Sequence, residues 1–133
     1  MTSIGKVLVV DDEAHIRKFV SVLLQSISTA VVAQAANGGE AIEAYARDKP
    51  DLVLLDVNMP RVNGLETLRE LKRIDPQCNV VMLTSLVNRQ TVEECLQLGA
   101  FGYLRKDNAP EELVVQLKKL LAECFDPKFT STD

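Results

Sequence analysis

Three acidic residues, Asp11, Asp12 and Glu13, directly follow the apolar run at residues 7–10, and Asp56 follows another at residues 52–55. Two further runs, at residues 80–83 and 101–104, lead into Thr84-Ser85 and into Lys106-Asp107. Each residue alone has an ordinary structural use. Acids cap helices, Asp56 or Thr84 could serve a turn or a helix start, and a single lysine is usually a solvated cation. Their joint placement at the same end of successive apolar runs is what those uses leave unexplained.

The chemistry open to such a set is narrow. Nucleotide-binding turns place glycines between the first strand and helix so that backbone amides meet phosphate, and this turn has none. Its two or three negative charges would instead repel a bare phosphate by several kcal/mol at close range. A cation must intervene, and an incomplete set of hard carboxylate oxygens suits Mg²⁺, which keeps several waters and accepts one or two carboxylates plus a phosphoryl oxygen. Lys106 would add a point charge facing the same anion.

Positioning these groups requires strands that end together. The apolar runs at residues 7–10, 31–35, 52–55, 80–83 and 101–104 are continuous rather than alternating, as expected of strands covered on both faces. Amphipathic stretches separate them. Ile16, Phe19, Val20, Leu23, Leu24 and Ile27 form one stripe; Ile42, Tyr45 and Ala46 mark a helix over residues 41–47; and Leu65, Leu68 and Leu71 mark one over 65–74, stopped by Pro76. A weaker helix, about residues 90–98, has Val92, Cys95 and Leu96 and a stop at Gly99. The last has Asn108 as N-cap, Pro110 in its first turn, and Leu113, Val114, Leu117, Leu120 and Leu121 inward. The pattern predicts an α/β doubly wound three-layer sandwich around a five-stranded parallel sheet, with ligands bound outside the carboxyl ends of the strands. Ala36-Asn37-Gly38, after the second run, reads as a turn.

The 133 residues carry 15 Lys and Arg against 19 Asp and Glu, a formal net charge of −4, and are 47% hydrophobic. That size suits one domain, expected over residues 1–125, with residues 126–133 as a polar tail. No Lys/Arg run exists to neutralise phosphates, so direct nucleic-acid binding is not expected. No stretch approaches the roughly 18 apolar residues of a membrane span, and no signal peptide is recognisable, so the expected location is cytoplasmic. Cys78, Cys95 and Cys124 lack metal-ligand spacing and are expected as reduced, semi-buried thiols. His15 reads as a solvated helix residue.

The segments VLVVDDE (7–13), DLVLLDVNMPRVNG (51–64), VVMLTS (80–85) and LGAFGYLRK (98–106) resemble the receiver domain of bacterial two-component response regulators, over about residues 5–123. The resemblance implies a flavodoxin-like strand order, 2-1-3-4-5. It implies Asp56 as phosphoacceptor, Asp12 as a direct and Asp11 as a water-mediated Mg²⁺ contact, and the backbone carbonyl of Asn58 as a further ligand. Lys106 would contact the phosphoryl group, Thr84 would be the switching hydroxyl, and Tyr103 the aromatic that follows it. Pro60 and Gly64 match the loop after the acceptor, and Asn58 and Leu86 occupy positions that tune phosphoryl loss.

The same resemblance implies a histidine kinase or phosphotransfer protein as donor and a downstream output protein or domain as recipient. Output would pass through a helix 4/strand 5/helix 5 surface including Gln90, Glu94, Tyr103, Arg105 and Lys119, and a phosphorylation-dependent homodimer is compatible with it. The domain would act as a signalling phosphoacceptor that catalyses its own aspartyl phosphorylation and dephosphorylation rather than as an enzyme on external substrates. Asp107 stands where the family commonly has proline in a cis bond. Because cis without proline costs about 2.5–4 kcal/mol, a trans Lys106–Asp107 bond is expected. Two other classes compete. A Mg-dependent phosphohydrolase with an Asp nucleophile would normally carry an acid or base at the position of Asn58, and a flavin-binding module is disfavoured by the acidic first turn.

Overall fold

The middle of the sheet is built from residues that can satisfy two apolar neighbours at once. In a computed structural model, which describes residues 5–57, 64–85 and 89–125, the strands β1 (Lys6–Val10), β3 (Leu52–Asp56) and β4 (Val80–Thr84) are buried along nearly their whole length. Two edge strands complete the sheet, β2 (Val31–Ala35) and β5 (Gly102–Arg105), and all pairings are parallel in the order β2-β1-β3-β4-β5. The helices α1 (Ala14–Ile27), α2 (Gly38–Asp48), α3 (Gly64–Ile74), α4 (Arg89–Gln97) and α5 (Pro110–Phe125) alternate with them.

Successive side chains of a strand point to opposite faces, and the core divides accordingly. Val7, Val9, Leu52, Leu54, Val81 and Leu83 face Val20, Leu24 and Ile27 of α1 and Leu113, Leu117 and Leu121 of α5. Leu8, Val10, Val53, Leu55, Val80 and Met82 face Ala41, Ala44 and Tyr45 of α2, Leu68 and Leu71 of α3, and Cys95 of α4. Full burial of one such Leu or Val side chain contributes about 1.5–3 kcal/mol.

Several expectations from the sequence are corrected by position in the fold. β2 is an edge strand, with Val31 65% exposed and Gln34 exposed, and β5 buries only Leu104 fully; neither is covered on both faces. Ala46 is exposed, while Ala41 and Ala44 fill the inner face of α2 with Tyr45. Leu96 is also exposed, leaving Cys95 as the single fully buried residue of α4. The segment around Asn37 starts α2 earlier than expected: Asn37 Oδ1 accepts from the Glu40 N–H at 2.9 Å, and Glu40 Oε1 accepts from the Ala36 N–H at 2.9 Å, a reciprocal cap. At α5, Ala109 supplies the first helical carbonyl, to the Leu113 N–H, and Asn108 donates its side-chain amide to Gln116 instead of capping.

Gly99 ends α4 as expected, in the left-handed region at φ 101°, with the Ala100 N–H returning to the Cys95 carbonyl. No disulfide forms among the described residues; Cys78 and Cys95 are buried and Cys124 half-buried, and burial raises all three thiols above their ordinary pKa. Residues 126–133, expected as a tail, lie outside the described residues. None of the described helices is long and apolar enough to cross a membrane.

At the amino-terminal end of the sheet, the buried Tyr45 donates its hydroxyl to Asp75 Oδ2 at 2.7 Å, joining α2 to the end of α3. Burial, then this bond, raises the phenol pKa; the bond from Tyr45, then the Gln77 N–H, holds Asp75 below the usual carboxylate range. A depressed carboxylate pKa contributes stability above its unfolded value, near 3.9, that is lost as pH falls through the folded value. Tyr45→Phe should therefore be less stable than the parent at pH 7, with the difference narrowing toward pH 2. Urea midpoints across that range measure it, and a constant difference would disprove the linkage.

Candidate functional site

The strand order dictates where the polar groups meet. β1 lies between β2 and β3, so the chain changes direction across the sheet there and leaves a crevice at the carboxyl ends of β1 and β3. Val10 pairs with Leu55, and one further step along both strands sets Asp11 beside Asp56. On the other side Asp56 pairs with Leu83 and Thr84 with Arg105, which brings Thr84 and Lys106 to the same rim. The Lys106 N–H donates to the Thr84 carbonyl at 2.8 Å, extending the ladder by one residue.

Asp11, Asp56 and Thr84 are almost fully buried, whereas Asp12 is exposed. Asp11, Asp12 and Asp56 each offer a carboxylate oxygen within 4.8 Å of the others. Lys106 bridges two of them, with Nζ 2.6 Å from Asp11 Oδ2 and 3.1 Å from Asp56 Oδ1. Asp11 Oδ1 also accepts from the Glu13 N–H at 2.9 Å. Three carboxylates facing one ammonium leave two negative charges in excess, and buried charge is costly unless balanced. An all-oxygen donor set with spare charge and an open side at Asp12 fits a hard divalent cation of the Mg²⁺ type.

Lys106 itself feels opposing influences. Burial, the largest, pushes its pKa down; the hydrogen bond to Asp11 and the charges of Asp56 and Asp11 together outweigh it and leave the ammonium above the ordinary lysine value.

Thr84 and Tyr103 line one small cavity of about 10 Å³ with Val57, Met82, Thr91, Val92 and Cys95. Tyr103 is 41% exposed on its outer side. Of the surface residues expected to act together, Tyr103, Arg105 and Lys119 line a single groove of about 330 Å³ between β5 and α5; Gln90 and Glu94 lie on α4, exposed and half-buried respectively. The Lys106–Asp107 bond is trans, as expected, and Arg105 forms a two-pronged ion pair with Asp107 across it, at 3.1 and 2.7 Å. His15 is exposed, 3.4 Å from Glu13. Asn58, Pro60 and Leu86 lie outside the described residues.

Two contacts at this site escaped sequence reasoning. Arg17 of α1 donates from Nη1 to the backbone carbonyl of Asp11 at 2.8 Å, a contact between groups whose types carry no motif. Gly64 donates its N–H to the Val57 carbonyl at 2.9 Å, and a Cβ there would stand 2.2 Å from the Asp56 carbonyl oxygen and 2.7 Å from Val57 Cα. The start of α3 thus rests directly on the backbone of Asp56, which only glycine permits.

A family model described as the response regulator receiver domain matches residues 7–118. The chemotaxis protein CheY of Thermotoga maritima is 32% identical over 115 residues, covering 86% of this chain and 96% of that protein. CheY of Bacillus subtilis is 33% identical, covering 87% and 97%. The regulatory protein AtoC of Escherichia coli is 33% identical over 91% of this chain, which spans only 26% of AtoC. Among solved structures, Vibrio cholerae CheY4 superposes with a TM-score of 0.79 at 33% identity, over 88% of this chain and 98% of that one.

Two outcomes follow from the geometry. Gly64→Ala should destabilise the fold by about 1–3 kcal/mol, the usual cost of overpacking, because backbone must move; a denaturation midpoint within error of the parent would contradict the contact. A raised lysine pKa contributes stability fully present below its unfolded value, near 10.4, and lost as pH rises through the folded value. The parent should thus lose stability as pH rises above about 10.4 more steeply than Lys106→Met, as read by denaturant melts.

Proposed function

The chain belongs to the response regulator receiver domain family, and from that premise we propose that it accepts a phosphoryl group on Asp56 in a Mg²⁺-dependent reaction. The observation that carries the reading is the meeting of Asp11, Asp12 and Asp56 within 4.8 Å, bridged by Lys106. The match to receivers leaves the phosphohydrolase alternative without support. Residues 1–125 act as the receiver, with 126–133 as a tail.

In this mechanism the Asp56 carboxylate attacks phosphorus in line, and its new O–P bond forms as the bond to the donor breaks. Lys106 supplies positive charge to the equatorial oxygens and can exchange its present carboxylate contacts for them. Asp12, Asp56 and the Asn58 carbonyl, with Asp11 through water, would hold Mg²⁺, which would supply further positive charge beside the phosphoryl oxygens. Most of the rate comes from positioning, and the same groups permit the domain to catalyse its own dephosphorylation.

The acyl phosphate adds negative charge and acceptor oxygens to a buried site. Thr84 is the hydroxyl that answers, and it lines one small cavity with Tyr103, so a change at the hydroxyl is felt at the ring. The change then reaches the groove of Tyr103, Arg105 and Lys119, altering affinity for an output protein or domain, or for a second copy of the chain. The donor is a histidine kinase or phosphotransfer protein, and the setting is the cytoplasm. The chain spans only 26% of AtoC, and an output module, attached or separate, lies outside the domain proposed here.

The test is intact-protein mass after incubation with Mg²⁺ and a small phosphoryl donor. A single adduct should form, need Mg²⁺, and vanish in Asp56→Asn. An adduct that persists in that variant, or none in the folded parent, would overturn the assignment.

A further inference from the structure

The acid pair is held from behind by a side chain that the phosphoryl chemistry does not touch. Arg17 is half-buried in the first turns of α1, its N–H bonded to the Glu13 carbonyl at 3.1 Å. Besides the bond from Nη1 to the Asp11 carbonyl, its Nε donates to Gln34 Oε1 on the edge strand β2 at 3.2 Å. Gln34 is itself placed: its Nε2 reaches Ser21 Oγ at 3.5 Å, and Ser21 Oγ donates to the Arg17 carbonyl at 2.6 Å. The guanidinium is therefore fixed by one prong on β2 and directs the other at a single main-chain oxygen.

That oxygen matters because of where it lies. The carbonyl of Asp11 and the amide nitrogen of Asp12 belong to one planar peptide unit, so a donor fixed on the carbonyl also fixes the plane from which Asp12 departs. On its other side, Asp11 donates its N–H to the Ala35 carbonyl at 3.1 Å, again on β2. Both backbone polar groups of Asp11 are thus tied to β2, directly or through Arg17. Without Arg17, the ladder would still hold the near side of Asp11, while the following peptide could rotate and carry the exposed Asp12 carboxylate away from Asp11 and Asp56.

We propose that Arg17, oriented by Gln34, is a positioning residue for the acid pair, holding the Asp11–Asp12 peptide so that both carboxylates face one divalent cation. The inference rests on the metal reading under the proposed function. It goes further in assigning cation affinity to a residue that touches neither metal nor phosphate.

The test titrates Mg²⁺ into the full chain by calorimetry, with Arg17→Ala, Arg17→Lys, Gln34→Ala, Asp12→Ala, and Val20→Ala as a destabilised control elsewhere on α1. Arg17→Ala should weaken Mg²⁺ about tenfold, in the range found when partners of metal ligands are removed. Val20→Ala should keep the parent affinity despite a lower melting temperature. Arg17→Lys should recover part of the loss, because an ammonium can reach the carbonyl but cannot fork to Gln34, and Gln34→Ala should fall between. In metal-free spectra the Asp12 amide nitrogen should shift in both Arg17→Ala and Gln34→Ala.

Parent-like Mg²⁺ affinity in folded Arg17→Ala would overturn the proposal, as would an equal loss in Val20→Ala. If Arg17→Ala does not fold, Gln34→Ala decides, and unchanged affinity with an unmoved Asp12 amide would overturn it. The foundation is tested separately: a parent that takes up no Mg²⁺, or Asp12→Ala with full affinity, removes the metal reading and this inference with it. Loss in Asp12→Ala alone removes only the role of Arg17.

Discussion

An excess of buried negative charge governs the carboxyl end of the sheet. Asp11 and Asp56 lie almost out of contact with solvent, Asp12 stands at the mouth, and Lys106 alone answers them among the described ion pairs. Such a cluster persists only because the rest of the fold leaves it nowhere to relax. The carboxylates are fixed to the ends of two central strands that the core grips on both faces, and the ammonium is fixed to a neighbour through the Thr84 carbonyl. The stability of the apolar layers is thus what holds an electrostatically unfavourable arrangement in place.

The division of labour between the two faces of the sheet serves that end. α1 and α5 cover one face with large aliphatic side chains, while α2 meets the other with Ala41 and Ala44 close in and Tyr45 reaching down to Asp75. Position along the strands matters as much as the face. The tyrosine–aspartate link secures the end remote from the acids, and the acids are secured by main-chain contacts: Ala35 and Arg17 on Asp11, Gly64 against Asp56. These contacts hold the main chain of the acids, while Lys106 and the Glu13 N–H engage their carboxylate oxygens.

Much of this could be read from residue order, because five apolar runs each ending in a polar residue specify both the strands and the end at which function collects. The errors came where periodicity is blind to neighbours. Val31 resembles Val53 in sequence, yet one lies at a sheet edge and the other at its centre. Leu96 and Ala46 fit a helical stripe but point past the limited surface their helices cover. The capping pair Asn37 and Glu40 is legible through its spacing, although Ala36-Asn37-Gly38 also reads as a turn. Gly64 is marked by the resemblance, but its contact with the Asp56 backbone is not, nor is the Arg17 guanidinium on a distant carbonyl, since both exist only once the elements pack.

α4 is anchored differently from its neighbours. Of its nine residues only Cys95 is fully buried, and its end is set by a left-handed glycine rather than by packing. Little buried surface therefore holds this helix in place, and it borders the cavity shared by Thr84 and Tyr103. An event at the acids that favours one seating by about 2.8 kcal/mol would change the ratio of the two a hundredfold. Under the proposed function, the thinly buried helix would set a low threshold: a modest chemical input would suffice to be read at the surface, and the core that holds the acids need not yield.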